Sequence, residues 1–371
     1  MFWALTCSVF LDISKAFDTV DHELLLHKLH CYGVRGLPLN LLRNYLSNRS
    51  QYTNINGFFS TKLAISSGVP QGSVLGPFLF KVFINDLPNI TQLSATLFAD
   101  DACLSYSHDS FMHIQDFVNN ELKKVETWML ANKLKLNVRK TNYMLVHRRQ
   151  VSTNMSISMD GCQLERKDEV KYLGVLIDHK LCWKSHINYV KSKLSKCLWA
   201  ICRIRSFANL DTLKLIYYSL AYPHLQYCVS SWGGASQSLL QPLISKQKQL
   251  VRVILKERFD SPSLPLFSHL QMLNFDLIYK YRIGLLMHKS KIGKIKLPQK
   301  FTKISEIHSH NTRSNANADY FVPSARINLS KNSFSYCGPK LWNNIPLEVR
   351  SSSPFTFKSR FKLYLLNTYK K

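Results

Sequence analysis

The chain has 371 residues, enough for two or three domains at ~150 residues each, and its 49 Lys and Arg against 23 Asp and Glu give a formal net charge of +26. This excess predicts a nucleic-acid backbone as partner, with a basic ribosomal-type or a membrane-surface protein as the alternatives. Because many of the lysines fall on predicted amphipathic helices, a folded nucleic-acid binder is favoured over a basic arm. No apolar run reaches the ~18 residues of a membrane span. Nine cysteines without a CxxC pair argue against a disulfide framework and predict an intracellular protein, nuclear or cytoplasmic, that is not secreted.

Strand and helix patterns follow one another along the first half of the chain. Period-two runs predict strands, and apolar residues at three- to four-residue spacing predict helices. The first expected elements are a strand at 8–11, helices at 22–34 (capped by Asp21) and 39–46, and strands at 51–55 and 62–65 around the turn Asn56-Gly57. A helix at 72–87, interrupted by Pro77, should follow, and then a hairpin of 93–98 and 102–106 that turns at Asp100-Asp101. The last expected elements are a helix from Phe111 to Trp128, strands at 143–146 and 157–159 followed by the turn Asp160-Gly161, and a strand at 170–177.

From residue 185 the pattern becomes helical and basic. Helices are predicted at 185–205, 213–220, 239–256 and 277–288, and the polar stretch 303–319 is typical of an exposed linker or loop. The tail from Tyr320 carries Trp342 and should form a small module. We therefore expect four regions: a mixed strand and helix domain at 1–182, a helical region at 183–300, a linker at 301–319 and a C-terminal module at 320–371.

Three carboxylates stand at the ends of apolar strands. Asp12 follows the first strand, and Asp100 and Asp101 follow the strand at 93–98. Adjacent like charges repel and raise one another's pKa, and a divalent cation removes that conflict. If the two strands are neighbours in one sheet, the three carboxylates form an oxygen-ligand site suited to Mg²⁺. The alternative for each cluster alone is an exposed strand end or surface turn.

Between these carboxylates lies Ser67-Gly-Val-Pro-Gln-Gly-Ser-Val-Leu-Gly-Pro77. The three segments in this order resemble the palm motifs of reverse transcriptases, specifically those of LINE-type, jockey-like non-LTR retrotransposons. Asp12 falls in motif A, 68–77 in motif B and 98–101 in motif C. Residues 134–141 resemble motif D, 171–178 resemble the primer-grip motif, and 334–346 are similar to C-terminal tails of the same elements.

The resemblance implies a right-hand polymerase fold. In such an α/β (α+β) architecture, a palm with a central antiparallel sheet would be followed by a helical thumb. The implied activity is RNA-directed DNA polymerisation with two Mg²⁺ ions, an RNA template, a DNA primer and deoxynucleoside triphosphates.

The family motifs also imply roles for single residues, each with a plainer alternative. The implied role of Phe17 is to exclude a ribose 2′-hydroxyl, and the alternative is an ordinary core residue. The implied role of Lys140 is to protonate the pyrophosphate, and the alternative is a solvated surface charge. A set of basic residues on the helix after 185 would track a duplex backbone, or it is a solvated face. The implied site residues are Asp12, Asp100 and Asp101 for metal; Phe17, Gln71 and Gly72 for the nucleotide; Lys140 as general acid; Tyr172, Leu173 and Gly174 for the primer; and Lys191, Lys193, Lys196, Arg203 and Arg205 for the nucleic-acid backbone.

Only eleven residues precede Asp12, whereas family polymerases carry a fingers region before motif A. We therefore expect the fingers to be largely missing and the chain to be N-terminally truncated or a fragment. Two hypotheses follow: a polymerase palm and thumb, or a truncated, catalytically incompetent basic nucleic-acid-binding remnant. The intact carboxylates favour the first, and the short N-terminal segment predicts feeble or no extension by this chain alone.

Overall fold

The computed structural model describes residues 5–147, 155–297, 301–307, 310, 317–326 and 328–370. The chain divides into two compact units, Met1–Leu181 and Cys182–Lys371. Within the described residues, no helix combines the length and the apolar character that a membrane span needs.

The first unit is built from short strands and five helices in the described residues. Its strands are β1 Leu5–Asp12, β2 Arg49–Gln51, β3 Asn54–Ile55, β4 Phe58–Phe59, β5 Leu63–Ile65, β6 Ser94–Phe98, β7 Asp101–His108, β8 Asn142–Val146, β9 Ser158–Met159, β10 Cys162–Gln163, β11 Glu165–Arg166, β12 Glu169–Tyr172 and β13 Val175–Asp178. Its helices are α1 His22–Cys31, α2 Leu37–Leu46, α3 Leu75–Ile84, α4 Leu87–Ile90 and α5 Phe111–Ala131. Asp21 caps α1 as predicted, because its Oδ1 accepts the Leu24 N–H at 3.0 Å.

A five-stranded sheet with the order β11-β8-β1-β7-β6 forms the centre of this unit. β1 pairs antiparallel with β7 and with β8, and only the edge strand β11 runs parallel to its neighbour. The central antiparallel sheet expected from the sequence is therefore present, with one parallel strand at its edge.

The two faces of the sheet bury different clusters because side chains alternate along a strand. Cys7, Val9 and Leu11 of β1 enter the large core beneath helices α1, α3 and α5. Phe10 points to the opposite face and packs with Met144 and Val170. Both faces of β1 are therefore covered by apolar side chains.

Three local predictions need correction. Residues 170–177 are two strands, β12 and β13, joined by a turn in which Leu173 and Gly174 have φ of 47° and 79°. Pro77 lies in the first turn of α3, where a missing N–H costs nothing, and does not interrupt a helix. The turn of the β6–β7 hairpin is Ala99 and Asp100, since Asp101 already pairs with Phe98.

Residues 49–65 form a projecting hairpin. β2 pairs with β5, and beyond them β3 pairs with β4 around the predicted turn Asn56-Gly57. Its apolar side chains, including Phe58 at 82% exposure, face solvent.

The second unit is helical in its described residues. Its helices are α6 Lys184–Ile204, α7 Leu210–Ile216, α8 Tyr222–Gln226, α9 Val229–Trp232, α10 Gln237–Leu255, α11 Ser263–Leu270, α12 Phe275–Lys291, α13 Asn328–Asn332, α14 Phe334–Asn343, α15 Leu347–Arg350 and α16 Phe357–Asn367. A π-helical turn, Tyr217–Ala221, joins α7 to α8, and short 3-10 turns occupy Ile304–Glu306 and Thr368–Lys370.

The C-terminal residues share the core of this unit and do not form the separate module expected from the sequence. Trp342, Phe357 and Phe361 are buried in the same cluster as the side chains of α6, α10 and α12. A Cβ added to Gly284 on α12 would lie 2.2 Å from the Phe361 ring, which shows how closely α12 and α16 approach. Local patterning could not reveal this packing, because the partners are far apart in sequence.

Candidate active site

The three predicted carboxylates meet at one end of the central sheet. Asp12 ends β1, Asp101 begins β7, and the two residues face each other directly across the antiparallel ladder. Asp100 lies in the two-residue turn that precedes Asp101. The sheet topology thus brings together residues that are almost ninety positions apart in the chain.

The pKa of one of these carboxyl groups reflects the charges of the other two. The pKa of Asp101 is raised above its ordinary value, first by partial burial and then by the negative charges of Asp100 and Asp12. Even so, among the residues that the structure describes, no three or more Asp, Glu, His or Cys side chains are arranged as a ready metal site. The donor set, carboxylate oxygens in mutual repulsion, is nevertheless the type that a Mg²⁺ ion favours.

A cavity of about 410 Å³ opens beside Asp100. Phe17, Gln71 and Gly72 line it, and so does Lys15, which sequence reasoning did not single out. Phe17 is half-buried and also stacks on Phe80, with ring centroids 4.6 Å apart. Phe17 can therefore pack as a core residue and still line the cavity in which it would exclude a 2′-hydroxyl.

The loop at 67–72 is held against the segment after β1 by main-chain contacts. The Gly68 N–H donates to Val20 O at 2.7 Å, and the Val69 N–H donates to Phe17 O at 2.8 Å. Gly68 has a φ of +89°, and a Cβ there would lie 2.8 Å from the Cα and O of Asp18. Only glycine fits this position without displacement.

Gln71 extends this contact through its side chain. Its Nε2 donates to Asp18 Oδ1 at 2.8 Å. Asp18 was not predicted as a site residue from the sequence. It could have been noticed as the second carboxylate of the segment Asp12-Ile-Ser-Lys-Ala-Phe-Asp18.

The segment that resembles motif D contacts the backbone of Asp12. The Asn137 N–H donates to Asp12 O at 2.8 Å, and the Asp12 N–H donates to Thr141 Oγ1 at 3.2 Å. Lys140 is exposed and immediately precedes the buried Thr141. Thr141 was also missed by the sequence analysis, although a threonine directly before a buried strand was the available signal.

Tyr172 packs on the sheet face opposite the helices. Its ring centroid lies 5.4 Å from that of Phe10, and its hydroxyl donates to Thr96 O at 3.3 Å. Burial, with smaller contributions from Cys103 and Asp101, raises the pKa of Tyr172 to about 12. Leu173 and Gly174 form the turn that follows at the hairpin tip.

The five predicted backbone-binding cations belong to the second unit. Lys193 Nζ lies 5.3 Å from the Tyr189 ring centroid, and the Arg203 guanidinium lies 5.2 Å from that of Trp199. Of the five, Lys196, Arg203 and Arg205 are exposed, Lys191 and Lys193 are half-buried, and Arg205 lies one residue beyond α6.

Comparison with known proteins identifies relatives among mobile-element polymerases. A probable RNA-directed DNA polymerase from transposon X-element of Drosophila melanogaster is 29% identical over 263 residues, which cover 67% of this chain and 28% of that protein. An RNA-directed DNA polymerase from mobile element jockey of the same species is 29% identical over 257 residues, covering 66% and 28%. The chain thus spans about 28% of the length of these relatives.

Among solved structures, a telomerase from Candida albicans in complex with a fragment of telomeric RNA is similar with a TM-score of 0.37 and 13% identity, over 72% of this chain and 51% of that one. Similarity at that level carries no conclusion about the fold. The family described as reverse transcriptase (RNA-dependent DNA polymerase) matches residues 3–177, which contain the segments that resemble motifs A to D and all but the last residue of the primer-grip segment 171–178. The resemblance predicted from the sequence is confirmed: residues 3–177 of this chain are similar to reverse transcriptases.

Proposed function

We propose that this chain is the catalytic part of an RNA-directed DNA polymerase of a non-LTR retrotransposon. The observation that carries the proposal is the pairing of Asp12 with Asp101 across two neighbouring strands, with Asp100 in the adjoining turn beside a cavity. The substrates would be an RNA template, a DNA primer and deoxynucleoside triphosphates.

In this proposal Asp12 and Asp100 hold two Mg²⁺ ions, with Asp101 beside them. When bound, these ions would lower the pKa of the primer 3′-hydroxyl and offset the charge on the triphosphate. The mutual repulsion of the three carboxylates, which adds to the effect of burial in raising the pKa of Asp101, supports this assignment, because a cation would relieve it.

The cavity residues would position the incoming nucleotide. Phe17 lines the cavity while its ring is braced on Phe80, so it can exclude a 2′-hydroxyl without moving. Gln71 and Gly72 also line the cavity, where an amide side chain and an open backbone can contact the nucleotide.

Lys140 and the Tyr172 hairpin would complete the site. Hydrogen bonds between the 137–141 segment and the Asp12 backbone bring this segment beside β1, and in this proposal Lys140 would donate a proton to pyrophosphate. Tyr172, Leu173 and Gly174 would support the primer end. The first unit would then be the palm, and α6 with Lys191, Lys193, Lys196, Arg203 and Arg205 would belong to a thumb.

The proposal is tested by primer extension on an RNA template with Mg²⁺. Two samples are compared: the 371-residue chain, and the chain fused to upstream residues of the jockey polymerase. We expect feeble extension from the first and clear extension from the second. In the fused chain, Asp100→Asn should reduce extension by ~10³-fold or more, since it removes a metal-binding charge while keeping the shape of the side chain.

Asp109→Asn is the matched control, because Asp109 is an exposed aspartate just beyond the opposite end of β7. It should leave extension unchanged. Extension that is indifferent to Asp100→Asn would contradict the assigned site. Efficient extension by the 371-residue chain alone would contradict the expected need for further residues.

A second candidate is a nucleic-acid-binding chain without turnover. The observation that favours it is that the described carboxylates form no ready metal site. This alternative predicts salt-dependent binding of a primer-template duplex, with no extension by either sample.

A further inference from the structure

A cavity of about 450 Å³ lies between α12 and α14 in the second unit, and the proposed polymerase reaction gives it no role. Tyr279 and Tyr336 provide aromatic walls, and Ile283 and Leu341 add apolar surface. Its volume falls in the range of roughly 300 to 1,000 Å³ that is typical of small-molecule sites.

Close packing fixes the wall at Tyr279. A Cβ added to Gly233 would lie 2.5 Å from Tyr279 Cδ2, and one added to Gly234 would lie 3.1 Å from the Tyr279 hydroxyl. The Tyr279 hydroxyl is also 3.3 Å from Cys337 Sγ. Burial raises the pKa of Tyr279, so its phenol stays neutral at physiological pH. The cavity is therefore lined by a ring whose position the surrounding chain determines.

The charge at the cavity is positive. Three lysines and one aspartate line it, and the aspartate is already paired, because Lys280 Nζ lies 2.7 Å from Asp276 Oδ2. The positive charges of Lys331 and Lys340 are therefore not balanced by an acidic residue of the cavity lining. Lys340 Nζ lies 5.6 Å from the Tyr336 ring centroid, so a cation and an aromatic face are presented together.

We propose that this cavity binds one unpaired nucleotide of a single-stranded nucleic acid. The base would stack on Tyr336, and its phosphate would contact Lys331 and Lys340. An aromatic ring beside cations suits any base, since every base has a π-face. The lining amides of Asn332 and Asn344 can both donate to and accept from a base edge. A base within a duplex is already stacked and paired and cannot enter.

The proposal is tested by photo-cross-linking with the full chain. The probe is a short single-stranded oligonucleotide with one central 5-iodouracil, made as RNA and as DNA, and the cross-linked peptide is identified by mass spectrometry. We expect a cross-link to the peptide containing Tyr336 or the one containing Tyr279, and its loss when the probe is annealed to its complement. The RNA and DNA probes establish which strand the site prefers.

Substitutions separate stacking from charge. Tyr336→Phe should retain the cross-link, whereas Tyr336→Ala should raise the probe concentration for half-maximal yield by roughly 5- to 150-fold. Lys340→Ala should also weaken the cross-link. Lys358→Ala, which makes the same charge change at an exposed residue of α16, should leave the cross-link unchanged. Circular dichroism of each variant verifies that the helices remain folded.

Three results would overturn the proposal: cross-links only outside this cavity, equal yields with single-stranded and duplex probes, or a Tyr336→Ala variant that behaves like the parent chain. Asp100→Asn should leave the cross-link unchanged. Failure of the polymerase proposal is therefore distinguishable from failure of this one.

Discussion

Replacing Gly68 with alanine should destabilise the first unit more than the same change at Gly72. Both glycines have positive φ, +89° and +78°, so both variants place an L side chain in the left-handed region. They differ in the space available. A Cβ at Gly68 would lie 2.8 Å from backbone atoms of Asp18, whereas a Cβ at Gly72 meets nothing within 4 Å.

The expected magnitudes follow from these two contributions. Left-handed backbone costs an L residue roughly 1–2 kcal/mol, and this cost is common to both variants. The clash at Gly68 adds about 1–3 kcal/mol, because Asp18 contributes main-chain atoms that cannot rotate away. We therefore expect about 2–5 kcal/mol for Gly68→Ala and about 1–2 kcal/mol for Gly72→Ala.

Hydrogen exchange measures both the global and the local effect. Amides of β1 report the free energy of unfolding of the first unit, and the Val69 amide, which donates to Phe17 O at 2.8 Å, reports opening of the loop. Val69 should exchange faster in Gly68→Ala than in Gly72→Ala. Equal destabilisation by the two substitutions would refute the steric reasoning.

Three further outcomes are expected. Asp100→Asn should lower the pKa of Asp101 in a carboxyl NMR titration, because it removes one of the two charges that raise it; an unchanged pKa would show that the Asp100 charge does not contribute. The second unit should lose stability as pH falls below about 6.5, because burial lowers the pKa of His186 and His288, so that the unfolded chain binds protons first. Urea unfolding followed by tryptophan fluorescence at pH 7.5 and 5.5 tests this, and identical midpoints would contradict it. Affinity for a primer-template duplex should fall steeply with salt, and Arg203→Gln should reduce the log–log slope by about 0.7 to 0.9 if it contacts one phosphate; a parent slope near zero would exclude phosphate-driven binding.

Local patterning predicted the elements around the carboxylates well. Alternation before Asp12 and Asp100 indicated strands that end in charge, and the structure has β1 and the β6–β7 hairpin there. Asp21, Asn56-Gly57 and Asp160-Gly161 also occupy the predicted cap and turns. These features depend on neighbours within a few residues, which the sequence displays directly.

The errors arose where distant contacts or backbone conformation decide the structure. Leu173 has a positive φ inside an otherwise alternating run, so a hairpin looked like one strand. Thr141 accepts from Asp12 across 129 residues, and Phe361 packs against Gly284 on another helix. No local period encodes such pairings, because they depend on how the units fold as a whole.

The position of β1 between two partners limits how its length can change. Leu5–Asp12 is paired along β7, and much of it is also paired along β8. Inserting one residue within β1 would turn every side chain on one side of the insertion to the opposite face. Asp12 would point away from Asp101, or Val9 and Phe10 would exchange their clusters. Variation in length should therefore accumulate in the exposed hairpin at 49–65, where an added residue disturbs neither the core nor the carboxylates.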